Sequence, residues 1–198
     1  MDSPKSLIKS KERVQKHGEV FTPPHIVKDM LNLLPVEIWE NIGKTFLEPA
    51  CGEGAFLTKI YEKKLKRAGK ISNSFTDWEY NAFRATASIY GVELLEDNLK
   101  ICKKKLNGIF LKFYKKASKK YNAITNAQTI KGISFLIDCN IVQKNFLKDD
   151  IVFSEWDFGY VQRIESHLKK DMQGEMFPVA ELRKYQPKHW RNIQNAAN

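Results

Sequence analysis

The thirteen residues from Thr45 to Leu57, Thr-Phe-Leu-Glu-Pro-Ala-Cys-Gly-Glu-Gly-Ala-Phe-Leu, constrain the fold more than any other stretch of this chain. Thr45, Phe46 and Leu47 read as the end of a buried strand, Pro49 to Gly54 as a tight turn, and Ala55 onward as the start of a helix. Strand, small-residue turn and helix in that order form a ligand cradle. The glycines permit close approach of backbone, and the helix N-terminus presents N–H groups with no partner inside the helix. The spacing excludes two common cradles: a dinucleotide site needs Gly-x-Gly-x-x-Gly, and a P-loop ends in Gly-Lys-Ser/Thr. Acids at the strand end (Glu48) and in the turn (Glu53) suit a ligand carrying positive charge better than a pyrophosphate.

The run Glu48-Pro49-Ala50-Cys51-Gly52-Glu53-Gly54-Ala55-Phe56 resembles the first motif of S-adenosylmethionine-dependent DNA methyltransferases, specifically the N6-adenine type found in restriction-modification systems. Upstream, Gly18-Glu19-Val20-Phe21-Thr22-Pro23 resembles the segment that precedes that motif in the same family. The resemblance implies that Phe21, Thr22 and Pro23 line the methionine end of S-adenosyl-L-methionine. It also implies that Glu48, Pro49, Ala50, Cys51, Gly52, Gly54 and Phe56 cradle the cofactor. An ordinary glycine-rich turn is the plain alternative, and a nine-residue match weighs against it.

Of the 198 residues, 42% are hydrophobic and 28% charged, which are globular values for one domain able to bury a core. No apolar run reaches the length of a membrane span, and the first residues lack a signal-peptide pattern, so a soluble, cytoplasmic protein is expected. Cys51, Cys102 and Cys139 lie far apart without zinc spacing, and the four histidines form no metal pattern; reduced thiols and no metal site are expected. A formal charge of +10 favours a polyanionic partner, of which nucleic acid is the commonest kind, and the family resemblance implies DNA.

Residues 1–16 read as a basic arm, mobile or a frayed helix, and 17–160 as the cofactor-binding domain. Thr22 before Pro23 reads as a helix cap, followed by a brace with Ile26, Val27, Met30, Leu31 and Leu34 at helical spacing. The helix after the turn places Leu57, Ile60, Tyr61 and Leu65 inward and ends at Ala68-Gly69-Lys70. Residues 70–87 read as an insertion with a short helix, whose Phe75, Trp78, Tyr80 and Phe83 either cover the edge of the core or form an exposed contact surface.

Ser88 to Leu95 reads as the second strand, ending in Glu93. A carboxylate there can accept two ribose hydroxyls. Glu93 follows Gly54 by 39 residues, about twice the separation of roughly 20 in dinucleotide folds, and the insertion accounts for the excess. The resemblance gives Glu93 the ribose and places Leu94 beside it. Glu96 or Asp97 opens a long helix with Leu99, Cys102, Leu106, Phe110, Phe113 and Ala117 as its apolar stripe and lysines elsewhere. Cys139 to Gln143 reads as the third strand, after a helix containing Ser134 to Asp138. Asn145-Phe146-Leu147 resembles the family's third motif, which meets the adenine of the cofactor; Asn145 replaces an acid there, its amide can still accept from the adenine amine, and a turn asparagine is the near alternative.

The family's catalytic Asn/Asp-Pro-Pro-Tyr/Phe motif is missing. Trp156-Asp157-Phe158-Gly159-Tyr160 keeps only an acid and an aromatic, so Asp157 and Tyr160 are a degenerate candidate pair and the catalytic residues are not assigned. Residues 161–198 read as a tail. The expected architecture is α/β, a Rossmann-like methyltransferase fold with an N-terminal helical brace and a sheet that this chain can leave incomplete. Three functions compete: a DNA adenine-N6 methyltransferase or its cofactor-binding part, a cofactor-binding module serving a partner subunit or a homo-oligomer, and a basic nucleic-acid-binding protein with a vestigial cofactor site.

Overall fold

A computed structural model describes residues 8–156 and 182–183. The elements run α1 (Lys11–His17), α2 (Pro24–Asn32), α3 (Glu37–Glu40), β1 (Phe46–Glu48), α4 (Ala55–Ile71), α5 (Phe75–Ala87), β2 (Ile89–Glu93), α6 (Glu96–Tyr121), α7 (Ala127–Asn140), β3 (Ile141–Gln143), β4 (Glu155–Trp156) and β5 (Leu182–Arg183). The protein is mixed α/β. Strands β1, β2 and β3 form a parallel sheet in that order, with Glu48 opposite Gly91 and Glu93 opposite Gln143. Both connections between parallel strands run through helices, as parallel pairing requires. β4 and β5 form a separate antiparallel pair.

Helices α4 to α7 pack against one another and against β2. Their shared core holds Leu57, Tyr61 and Leu65 from α4, Trp78 and Ala82 from α5, Cys102, Leu106, Phe110 and Tyr114 from α6, and Ile133 and Ile137 from α7. Gly91 faces this layer, because a Cβ there would lie 2.7 Å from Leu57 Cδ1. Tyr90, the alternate residue, has its ring edge-on to Phe153 and donates its hydroxyl to the Ser154 carbonyl at 3.0 Å.

Five local expectations change. The helix cap is not Thr22: Pro23 holds the cap position without a side-chain hydrogen bond and Pro24 opens α2. A residue before proline is pushed to extended backbone, so Pro23 stays outside the helix and Thr22 is one residue too far back to cap it. Of the brace's apolar residues only Val27 and Leu31 are buried, while Ile26 and Met30 are exposed. Gly69 does not end α4, which continues to Ile71. The 70–87 region carries a thirteen-residue helix that belongs to the core. Trp78 stacks on Tyr114 at 5.8 Å and on Phe110 at 6.2 Å, and Phe75 on Tyr114 at 5.4 Å. Tyr114, rather than Phe113, completes the buried stripe of α6.

The first sixteen residues also carry order. Ser10 caps α1 by accepting from the Arg13 N–H at 3.1 Å, and Lys9 and Arg13 make ion pairs. At the amino ends of the strands Lys64 is buried, 3% exposed, with its Nζ 2.8 Å from the Ile42 carbonyl, 2.7 Å from the Lys44 carbonyl and 2.7 Å from Ser88 Oγ. Burial, with Arg84 adding repulsion, pushes the Lys64 pKa down to about 7. Lys64 Nζ donates in all three contacts, and the Ser88 hydroxyl donates onward to the Ala85 carbonyl at 3.0 Å.

Candidate functional site

β1 delivers the chain to Glu48 at the carboxyl end of the sheet, and the turn that follows is pinned to both neighbours. The Cys51 N–H donates to the Val92 carbonyl at 2.9 Å, and the Gly54 N–H to the Cys51 carbonyl at 2.7 Å. Gly54 has φ +84° and lies against α6: a Cβ there would meet Cys102 Sγ at 2.7 Å. Only glycine suits that combination of left-handed backbone and close approach. The thiols of Cys51 and Cys102 are in contact, and the Cys51 thiol is pushed up by its contact with Cys102 and by burial.

Glu93 ties the turn to the start of α6. Its Oε2 accepts the Gly52 N–H at 2.8 Å, and its Oε1 accepts the Leu95 N–H at 2.8 Å and Asn98 Nδ2 at 3.5 Å. The carboxylate is 7% exposed and is satisfied by backbone donors. Phe21 joins the same place, since a Cβ on Gly52 would lie 3.9 Å from Phe21 Cε1. The Lys144 N–H donates to the Glu93 carbonyl at 3.1 Å, and Gln143 Nε2 to the Leu94 carbonyl at 3.2 Å. The exit of β3 is thereby held against the end of β2. Leu94 itself is 45% exposed.

Asn145 sits in a tight turn. Its Oδ1 accepts the Leu147 N–H at 3.1 Å and its own N–H donates to Asp149 Oδ2 at 2.8 Å. The side chain therefore stabilises the local turn, as asparagine commonly does. Asp157 and Tyr160 lie outside the described residues.

The acids of the site differ in their partners. Glu48 is held above the usual carboxylate range by burial, and its one hydrogen bond among the described residues is a 3.5 Å contact from the Ala50 N–H. Glu19 is held below its usual range, chiefly by Arg13, whose Nε and Nη2 donate to it at 2.5 and 2.7 Å. Burial works to raise Glu53, yet Lys105 and Lys9 hold it low, at 2.9 and 3.0 Å. Asp97 falls to about 2 beside Arg13 and Lys9.

These contacts form a network that sequence reasoning missed. Asn98 Nδ2 donates to Glu19 Oε1 at 2.6 Å, and Lys9 Nζ to Asn98 Oδ1 at 2.5 Å. Lys9 also lies 5.7 Å from the centre of the Phe21 ring. The chain from Lys9 to Phe21 is thus strapped across the turn and the start of α6. Glu19 was within reach of sequence reasoning, inside the Gly18–Pro23 segment. A buried asparagine at Asn98 gives no such signal.

Sequence-predicted positions from three separate regions therefore converge at one end of the sheet: Phe21, the Gly52–Gly54 turn, and Glu93 with Leu94. Over residues 7–171 the chain matches the family model described as N-6 DNA methylase. The protein belongs to the N-6 DNA methylase family. Comparison with curated proteins gives no match, and neither does comparison with solved structures. Membership in the N-6 DNA methylases gives the protein a DNA methyltransferase lineage. Among the described residues no helix is long and apolar enough to cross a membrane.

Proposed function

We propose that this N-6 DNA methylase binds S-adenosyl-L-methionine at the turn after β1 and serves methylation of adenine N6 in DNA, in a restriction-modification setting. The supporting observation is the convergence of Phe21, Gly52 and Glu93 at the carboxyl end of a parallel sheet ordered β1-β2-β3. In this reading that order is one half of a doubly wound, Rossmann-like sheet, in which ligands lie beyond the carboxyl ends of the strands. The residues present fit the cofactor. Glu93 Oε2, which accepts only the Gly52 N–H among the described residues, has lone-pair capacity left for a ribose hydroxyl. Glu48, a half-buried carboxylate with no cation beside it among the described residues, suits the positive charge of the cofactor.

In this reading Phe21, Thr22 and Pro23 line the methionine end, and Pro49, Ala50, Cys51, Gly52, Gly54 and Phe56 shape the cradle. Glu93 holds the ribose, while Leu94, Asn145 and Phe146 border the adenine. The bound cofactor supplies an electrophilic methyl group for the target amine. The protein contributes orientation and exclusion of water rather than acid–base chemistry.

Calorimetry tests the site. Glu93→Ala is expected to weaken S-adenosylmethionine binding at least tenfold, about 1.4 kcal/mol; unchanged affinity removes the ribose assignment. Transfer of tritiated methyl to adenine-containing DNA tests the activity. A second reading, a cofactor-binding subunit acting with a partner chain, is favoured by the missing Asn/Asp-Pro-Pro-aromatic motif. It is also favoured by β1, which among the described residues has a strand on one side only and leaves Leu47 39% exposed. Intact cofactor binding without methyl transfer, restored by a second chain, would select it.

A further inference from the structure

Helix α6 runs for 26 residues from the cofactor end of the sheet, and from Asn98 to Tyr121 it carries nine lysines and no acid. Four of the nine have partners elsewhere in the protein. Lys100 pairs with Glu96, Lys103 with Asp138, Lys105 with Glu53, and Lys120 donates to the Gly69 carbonyl. Lys104, Lys112, Lys115, Lys116 and Lys119 are exposed and have no hydrogen-bonding or ion-pairing partner among the described residues.

The arrangement of these five is not that of a generally solvated face. Lys104, Gly108, Lys112, Lys115 and Lys119 follow at steps of four, four, three and four, which places them in one line opposite the buried stripe of Leu99, Cys102, Leu106, Phe110, Tyr114 and Ala117. Like charges three and four residues apart destabilise a helix, and only those in the last turn are favoured by the helix dipole. Gly108, in the middle of the line, also weakens the helix, and it has no packing reason to be glycine: a Cβ there would meet nothing within 4 Å. Repulsion and a bare backbone on the same line are both explained by a polyanion lying along it.

We infer that this face of α6 is a docking surface for the phosphate backbone of duplex DNA, separate from the cofactor cradle. From Lys104 to Lys119 the line is about 22 Å long at 1.5 Å per residue. Along the duplex axis that length corresponds to about six base-pair steps at about 3.4 Å each. Gly108 lets the strand approach the helix backbone between Lys104 and Lys112. The contacts carry no base sequence; they hold the duplex while the carboxyl end of the sheet addresses the target base. The inference rests on DNA being the substrate, and the two fail separately. Docking is read without cofactor, whereas the proposed function is read by cofactor binding and methyl transfer.

The experiment is fluorescence anisotropy with a duplex oligonucleotide across a salt series, on the full chain. Joint substitution of Lys104, Lys112, Lys115 and Lys119 by glutamine is expected to lower affinity at least tenfold. It should also reduce the slope of log K against log salt by about 3.6, since each of the four lost phosphate contacts removes about 0.9. Cofactor affinity should not change, and arginine at the same four positions should retain binding. Gly108→Glu is the second variant. Glutamate is a better helix former than glycine, so the melting temperature should hold or rise while duplex binding falls. An unchanged affinity and slope in both variants overturns the proposal. So does binding to phosphatidylserine vesicles that the variants lose while duplex binding persists, which would assign the line to a membrane surface.

Discussion

The two ends of the β1–α4–β2 unit bury side chains of opposite polarity. At the carboxyl ends of the strands the Glu93 carboxylate accepts N–H groups from Gly52 and Leu95. At the amino ends Lys64 donates to the carbonyls of Ile42 and Lys44. The polarity follows from the backbone: the first residues of a helix offer N–H groups without partners, and residues entering a strand offer carbonyls. What differs is closure. Lys64 is sealed among Ile42, Ser88 and the α4 core, whereas Pro49, Ala50 and Leu94 leave the other end open. The same kind of charge-to-backbone clamp therefore works as a rivet where it is closed and as part of a receptive surface where it is open. Substitutions at the amino end should cost stability, and those at the carboxyl end should cost binding.

Gly54 is the place where that division should break most strongly. It belongs to the open end, but it touches α6 so closely that alanine must displace Cys102 Sγ as well as adopt φ +84°. Backbone strain of about 1–2 kcal/mol and overpacking of about 1–3 kcal/mol both apply, so Gly54→Ala should lose roughly 2–5 kcal/mol in urea unfolding. Adding Cys102→Ala should relieve the contact and leave the strain, recovering part of the loss. No recovery, or no loss in the single variant, would mean that the turn is not pressed onto α6.

Lys64 sharpens the comparison through pH. Between about 7 and the ordinary lysine value of 10.5 the unfolded chain holds a proton that the folded chain has released. Stability should therefore rise with pH through that window, by up to about 4 kcal/mol between pH 7 and 10, and the proton cost returns in full below it. Replacing Lys64 with methionine should flatten that rise when unfolding free energy is measured from pH 7 to 10. A slope identical to that of the parent protein would show that Lys64 stays charged in the folded state.

The two ends were not equally legible from sequence. The turn could be read because its chemistry is local: two glycines, an acid before and small residues between announce a strand-to-helix cradle within ten positions. Glu93 could be read because an acid at the end of an apolar run has few structural uses. Lys64 could not, since a lysine on an amphipathic helix normally reaches solvent, and its partners come from residues about 20 positions earlier and 24 later. The core role of α5 was half-legible: its aromatics marked a packed surface, but only Tyr114 and Phe110, some 30 residues downstream, decide that the surface is buried. Reading residues 1–16 as a mobile arm or a frayed helix leaves out the strap of Lys9 and Arg13, because its acidic partners Glu53 and Asp97 are distant in sequence.

That strap gives the smallest expected effect and the finest test of the division. Asp97 is half exposed and meets both Lys9 and Arg13. Solvent screening limits what such pairs contribute, so Asp97→Asn should change stability by no more than about 0.5 kcal/mol. Because the Asp97 pKa is lowered to about 2, its contribution is present above the ordinary carboxylate range and fades as pH falls from about 4 toward 2. The difference between parent and variant should shrink over that interval and also in high salt. If the open end serves binding, the same substitution should loosen the Lys9–Phe21 strap and reduce cofactor affinity by more than its effect on stability. A variant that loses stability and keeps its affinity would instead make the strap a second rivet, and the carboxyl end would then be no more receptive than the amino end.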